Sequence, residues 1–128
     1  MTVLHSLDQL ASVPGPVALA IGVFDGLHLG HQEVIHAAQE HAAQHHGTAV
    51  VMSFEPHPLA VLRPGTEPKR LCGTAYREVL LKRMGVTTAL LCPFDEITAA
   101  TPAALFLETL TRDCKPLGCI SVGYGWSF

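Results

Sequence analysis

Two histidines three positions apart, His28 and His31, lie in a glycine-rich segment and could take part in phosphate chemistry. The segment, Gly22 to His31, reads GVFDGLHLGH and follows the apolar run VALAI directly. Gly26 and Gly30 have no side chains, so a ligand can approach the backbone closely. If a helix begins here, its free amides favour a bound phosphate, and both imidazoles occupy one face of its first turn. Such a group can stabilise charge during nucleotidyl transfer.

Other interpretations of this segment remain open on the residues alone. The two histidines could be surface residues, or they could share a zinc ion, although no third and fourth ligands follow at a spacing typical of zinc sites. Asp25 precedes Gly26, and this common turn pair accounts for Asp25 without a role in magnesium binding. Phe24 could fill the core or contact a nucleotide. The later histidines are predicted to lie in solvent on the polar side or end of the expected helix: His36, His41, His45 and His46.

The motifs of several other enzyme classes are absent from the sequence. There is no P-loop, and no dinucleotide-binding GxGxxG follows the first apolar run. No GxSxG elbow and no catalytic pairing of cysteine with histidine is present, which argues against acyl transfer. Transfer of a nucleotidyl group is the reaction class that these absences leave.

The elements around the segment alternate between strands and helices. The apolar run Val17–Val23 predicts a strand that is buried on both faces. Residues 30–46 have helical periodicity, with Val34, Ile35, Ala38 and Ala42 on the apolar side and Gly47 as the expected C-cap. Four later segments follow in order: a strand over 48–54, a helix over 74–84 that begins at Thr74 and stops at Gly85, a strand over 86–92, and a strand over 117–122.

Two further features complete this α/β pattern. Prolines and glycines make Glu55–Gly73 a long irregular loop, a kind of segment that is often functional. Thr101 and Pro102 are expected to cap and open a helix that runs through about Asp113. Together the elements predict a three-layer α/β fold with a parallel sheet.

Composition limits the protein to a few classes. The chain has 128 residues, of which 48% are hydrophobic and 15% charged, as expected for one globular domain. A formal net charge of −3 provides no basic face for nucleic acid. No secretory signal is visible at the N-terminus, and no apolar run is long enough for a membrane span. The four cysteines are predicted to be reduced thiols, so a cytoplasmic location without nucleic-acid or membrane partners is expected: Cys72, Cys92, Cys114 and Cys119.

Four ordered blocks of the sequence resemble one known family. The HLGH tetrad is similar to the signature of the nucleotidylyltransferase superfamily. With Phe24-Asp25-Gly26 before it, the block resembles the FMN adenylyltransferase (FAD synthetase) module of prokaryotic bifunctional riboflavin kinase/FAD synthetases. The SFEPHP segment at 53–58 resembles the flavin-side loop of that family, Leu71–Val86 its arginine- and leucine-rich helix, and residues 122–128 its aromatic strand end.

The resemblance implies a Rossmann-like fold and an enzyme that joins ATP and FMN into FAD and pyrophosphate. ATP and FMN would be its substrates, and Mg²⁺ would arrive with ATP, with no resident metal. His28 and His31 would be the catalytic residues. The resemblance also assigns ATP and phosphate binding to the glycine turn: Gly22, Val23, Phe24, Asp25, Gly26 and Gly30. It implies flavin contact by the loop after the second strand, with these candidates: Phe54, Pro56, His57 and Pro58. Tyr124 and Trp126 could complete an aromatic wall for the flavin at a neighbouring strand end, or they could be core residues.

The sequence departs from the family pattern near its end. Gly125 stands where the family usually has Asp or Asn, and the family's Ser-Ser-Thr-x-x-Arg motif and riboflavin kinase domain do not follow. Residues 1–128 are therefore expected to be an incomplete FAD synthetase-type domain. A non-catalytic nucleotide- or flavin-binding remnant is the alternative. A cytidylyl- or pantetheine-phosphate adenylyltransferase is a third interpretation, disfavoured by the Phe-Asp-Gly residues and the SFEPHP loop.

Overall fold

Five parallel strands form the centre of the protein in a computed structural model that describes residues 1–22, 29–55, 74–93, 96–114 and 116–122. Their order in the sheet is β1-β4-β3-β2-β5, and every neighbouring pair is parallel. The strands are β1 (Thr2–Leu4), β2 (Val17–Ile21), β3 (Thr48–Glu55), β4 (Thr88–Pro93) and β5 (Leu117–Val122). The predicted parallel sheet is confirmed.

Strand β2 lies inside the sheet and is buried on both faces, as its apolar run predicts. All five of its residues are buried. Val17, Leu19 and Ile21 face one core cluster, while Ala18 and Ala20 face the other. The small alanines leave room for a helix to pack closely on their side. The strand ends at Ile21 rather than at the predicted Val23.

Helices cover both faces of the sheet and give three layers. They are α1 (Leu29–Gln44), α2 (Thr74–Arg83), α3 (Glu96–Ala100) and α4 (Ala103–Asp113), with a 3₁₀ helix over Leu7–Ser12. Helices α1 and α2 pack on the alanine face of β2, and α4 and the 3₁₀ helix pack on the opposite face. The four apolar α1 residues that the periodicity selects are buried: Val34, Ile35, Ala38 and Ala42.

The end of α1 corrects one prediction. His46, not Gly47, takes the left-handed conformation with φ of 55°, while the amide of Gly47 donates to the carbonyl of Ala42 at 2.8 Å. This pattern is a Schellman motif with His46 at the residue after the cap. Gly47 is needed for a different reason, because a Cβ there would lie 1.9 Å from the carbonyl oxygen of Pro16.

The other predicted boundaries are correct to within a few residues. Gly85 ends α2 with φ of +83°, as expected for a glycine stop. Strand β4 starts at Thr88 rather than Val86. Thr101 does not cap α4, because its hydroxyl donates to the carbonyl of Ile97 at 2.8 Å. Pro102 is the N-cap instead of a first-turn residue, so α4 begins one residue later than predicted, at Ala103. The predicted loop from Glu55 falls almost wholly outside the described residues, although Glu55 itself belongs to β3.

Three elements have no counterpart in the sequence-based prediction, namely β1, the 3₁₀ helix and α3. The 3₁₀ helix matters for the core, because its Leu10 is fully buried and α4 packs beside it through Phe106 and Leu110. Cys92, Cys114 and Cys119 form no disulfide among the described residues, and Cys72 lies outside them.

Candidate functional site

The carboxyl ends of β2 and β5 mark the position where a ligand is expected. Ile21 at the end of β2 is paired with Val122 at the end of β5, so the two strands end side by side at this edge. The chain order also reverses at this pair, since β3 and β4 lie on one side of β2 and β5 lies on the other. Open α/β sheets bind ligands outside the carboxyl ends of their strands at such a switch point.

Helix α1 begins at the same edge of the sheet. It connects the end of β2 to the start of β3, two parallel neighbours, so it runs antiparallel to them and its N-terminus lies near their carboxyl ends. The helix starts at Leu29, which places the backbones of Gly30 and His31 in its first turn. Amides in a first turn have no partners within the helix and can bind an anion. The prediction that the glycine-rich segment opens a helix is therefore confirmed.

Most of the predicted phosphate-binding and catalytic residues fall outside the described residues. Of the glycine turn, the structure describes Gly22 and the backbones of Gly30 and His31. Gly22 is buried, and its amide donates to the carbonyl of Met52 at 3.1 Å, which extends the pairing of β2 with β3 by one residue. Five predicted site residues between Gly22 and Gly30 lie outside the described residues, and their roles stay predictions: Val23, Phe24, Asp25, Gly26 and His28.

Phe54 is the one predicted flavin-binding residue that the structure describes, and its side chain is part of the core. It is 3% exposed, and its ring centroid lies 6.4 Å from that of Phe106 on α4, with the planes at 48°. Phe54 therefore holds the carboxyl end of β3 against the α4 layer. Contact between Phe54 and a flavin stays a prediction. The other five predicted flavin-binding residues fall outside the described ranges: Pro56, His57, Pro58, Tyr124 and Trp126.

Ser53 is a residue of this edge that sequence analysis did not single out. It is only 4% exposed, and it lies two positions beyond Val51 on the strand, so it shares the face that α1 covers. No other described residue exchanges a hydrogen bond with its hydroxyl, and leaving a buried hydroxyl without a partner is costly. A polar residue inside the apolar run 48–54 was the signal that could have identified it.

Cys114, by contrast, is a buried group that is suited to packing rather than to chemistry. It follows α4, and its amide donates to the carbonyl of Leu110 at 2.9 Å. Burial, with a smaller contribution from the charge of Asp113, raises the pKa of Cys114 to about 11. The thiol is therefore protonated and unreactive at neutral pH.

The described residues contain no group of three or more histidine, cysteine or acidic side chains that could hold a metal ion. None of the helices within these residues is long and apolar enough to cross a membrane.

A parallel α/β sheet with a helix start at its switch point, preceded by a glycine-rich sequence, is characteristic of nucleotide-binding domains. The sequence model of the FAD synthetase family matches residues 11–128, and this chain belongs to that family.

Two curated relatives carry the name bifunctional riboflavin kinase/FMN adenylyltransferase. The Escherichia coli K12 protein is 35% identical over 127 residues, which cover 98% of this chain and 39% of the relative. The Bacillus subtilis protein is 35% identical over 91 residues, which cover 70% of this chain and 29% of the relative. The chain thus spans well under half the length of these relatives.

A solved structure shares the fold over the whole chain. It is a crystal structure from Streptococcus pneumoniae described as a macrolide-efflux protein. Its TM-score is 0.75 at 27% identity, with 100% of this chain and 43% of the other covered. The Rossmann-like three-layer fold expected from the sequence is confirmed.

Proposed function

We propose that this domain is an FMN adenylyltransferase, which transfers AMP from ATP to FMN and yields FAD and pyrophosphate. The observation that carries the proposal is the match of the FAD synthetase family to residues 11–128. The position of the glycine-rich segment, between the end of β2 and the first turn of α1, supports it, because that position suits the phosphates of a nucleotide.

The reaction is a direct displacement at the α-phosphorus of ATP. A phosphate oxygen of FMN attacks this phosphorus and forms the new P–O bond. The bond between the α-phosphorus and the bridging oxygen breaks, and its electron pair leaves with pyrophosphate. No covalent enzyme intermediate forms, so the protein contributes positioning and charge stabilisation. Magnesium enters as part of the MgATP substrate.

Each part of the candidate site has its own role in this scheme. The amides of the first turn of α1 and the glycine turn hold the phosphates, while His28 and His31 stabilise the charge on the α-phosphate and the leaving group. Residues 56–58 after β3, with Tyr124 and Trp126 after β5, bind the flavin. Phe54, buried near the end of β3, lies on this flavin side two residues before Pro56.

The longer relatives suggest where this domain obtains its FMN. Their names combine riboflavin kinase with FMN adenylyltransferase, and a kinase acting on riboflavin produces FMN. We infer that the domain acts beside a riboflavin kinase domain in a cytoplasmic protein that uses small-molecule substrates and no nucleic acid.

A specific residue favours a second candidate, a non-catalytic nucleotide- or flavin-binding domain. Gly125 lacks the carboxylate or amide that the family usually places there. This alternative predicts that ATP or FMN binds without forming FAD.

An assay of FAD formation separates the two candidates. The 128-residue chain is compared with a version lengthened by a segment that carries the family's Ser/Thr/Arg motif, and Gly125→Asp is tested in both. The enzyme proposal expects turnover in the extended chain and little in the short one, because losing an arginine that contacts phosphate can cost several orders of magnitude. Binding of ATP and FMN by titration calorimetry, with no FAD from either chain, would establish the non-catalytic alternative.

A further inference from the structure

The C-terminal end of α1 carries a second pair of histidines, at the opposite end of the helix from Gly30 and His31. His41 and His45 are four positions apart on the helix, so their side chains lie on one face. Their rings are stacked, with centroids 4.1 Å apart and planes at 20°. Because α1 runs antiparallel to the strands, this pair lies at the amino-terminal edge of the sheet, opposite the candidate active site.

A hydrogen bond orients the His45 ring. Its Nδ1 lies 2.9 Å from the carbonyl oxygen of His41. A carbonyl can only accept, so Nδ1 carries the proton and Nε2 has the free lone pair. Histidines that bind metals are commonly oriented by this kind of N–H to carbonyl bond. His45 is also exposed, so Nε2 is accessible to an ion from solvent.

The sheet edge supports the His41 ring. A Cβ at Gly118, at the start of β5, would lie 3.0 Å from Cε1 of His41 and 3.1 Å from Cβ of Pro16. The half-buried His41 ring therefore lies directly on a residue without a side chain. Gly118 falls where the pairing of β2 with β5 shifts register, which brings its backbone under the helix end.

We propose that His41 and His45 form a two-histidine site for a divalent transition metal such as Zn²⁺, Cu²⁺ or Ni²⁺. Two imidazole nitrogens bound at about 2.0–2.1 Å in tetrahedral or square geometry are roughly 3 Å apart. Histidines at i and i+4 on one helix face can bind the same ion, as in the H-E-x-x-H zinc motif. The stacked rings must turn out of their near-parallel arrangement so that both lone pairs converge on the ion. Because no third protein ligand lies among the described residues, water completes the coordination and the ion exchanges freely.

Calorimetric titration of the chain with ZnCl₂ at pH 7.5, without nucleotide, tests the site. We expect one equivalent to bind, with affinity at least tenfold weaker in His41→Ala and in His45→Ala. His36→Ala is the matched control: His36 is exposed on the same helix but has no histidine four positions away. Its affinity should equal that of the unaltered chain.

Two further measurements make the result specific to this pair. Copper bound to the unaltered chain should show two nitrogen ligands by electron paramagnetic resonance, and fewer in either alanine variant. Gly118→Ala should weaken binding, because its Cβ displaces the His41 ring, while circular dichroism checks that the variant folds. The proposal is overturned if the doubly substituted chain binds zinc as tightly as the unaltered one, or if His36→Ala loses the same affinity.

Discussion

The amino-terminal and carboxyl edges of the sheet differ in whether contacts within the protein explain their residues. At the amino-terminal edge, contacts within the chain account for Gly47 and Gly118, which allow Pro16 and His41 to come close. At the carboxyl edge, the first-turn amides of α1 and the buried hydroxyl of Ser53 have no such account among the described residues. Groups that the fold itself does not need are those expected to meet a ligand. We therefore expect the nucleotide and the flavin at the carboxyl edge, whereas Gly47 and Gly118 at the amino-terminal edge serve close packing.

The largest expected effect of a substitution is a loss of turnover at the carboxyl edge. His28→Ala or His31→Ala, in the chain extended through the Ser/Thr/Arg motif, should lower turnover by about a hundredfold or more, the usual scale for losing a preorganised charge stabiliser. Thermal unfolding should change little, because both positions flank or open a helix. Turnover equal to that of the unaltered enzyme in both variants would contradict the catalytic role.

At the amino-terminal edge, Gly47→Ala is expected to lower the stability of the fold, whereas the histidine variants lower turnover. Its new Cβ would lie 1.9 Å from the Pro16 carbonyl oxygen, which accepts a hydrogen bond from the amide of Thr48 at 3.0 Å. Relieving that overlap separates the two segments and should lower the free energy of unfolding by about 3 kcal/mol, as for overpacked sites.

Gly85→Ala is the matched control for that variant. It adds a methyl group at a positive φ with only ordinary contacts nearby, so about 1 kcal/mol is expected. Urea unfolding followed by circular dichroism measures both variants. Equal losses of unfolding free energy in the two variants would mean that the close approach of Pro16 does not require a glycine at position 47.

How far the sequence predicts this structure depends on the range of the interactions involved. Periodicity identified β2, β3, β5 and the buried face of α1 because those patterns are local and long enough to read. Strand β1 has only three residues, too few for a pattern, and its pairing with β4 is a long-range contact.

The candidate site divides in the same way. The glycine turn and helix start are contiguous in sequence, and so could be recognised. The burial of Phe54 against Phe106, the contact of Gly47 with Pro16 and the position of Ser53 arise only when distant segments meet. An aromatic residue at a strand end fits both core packing and ligand stacking, so residue type alone could not separate them.

Ser53 offers a finer test of the difference between the edges. Ser53→Ala removes a buried hydroxyl that has no described partner, so the free energy of unfolding should stay the same or rise by up to about 1 kcal/mol. If the hydroxyl serves a bound phosphate, KM for ATP should rise about tenfold, and Ser53→Thr should preserve most of the affinity. A loss of stability with unchanged kinetics would instead give Ser53 a structural role.

A last contrast with Ser53 is Cys114, a buried side chain whose effect is confined to alkaline pH. A thiol is a weak hydrogen-bonding group and packs like a small apolar one, so it is tolerated in a core where a hydroxyl needs a partner.

The pKa of the Cys114 thiol is about 11 in the folded protein against 9.0 as the ordinary value. The folded state therefore retains a proton that the unfolded chain releases, and the resulting stability is complete below pH 9 and is lost as pH rises toward 11. Urea unfolding between pH 8 and 11 should show a declining free energy, and Cys114→Ala should flatten that decline while lowering the value at pH 8. An equally steep decline in the variant would assign the pH dependence to other groups.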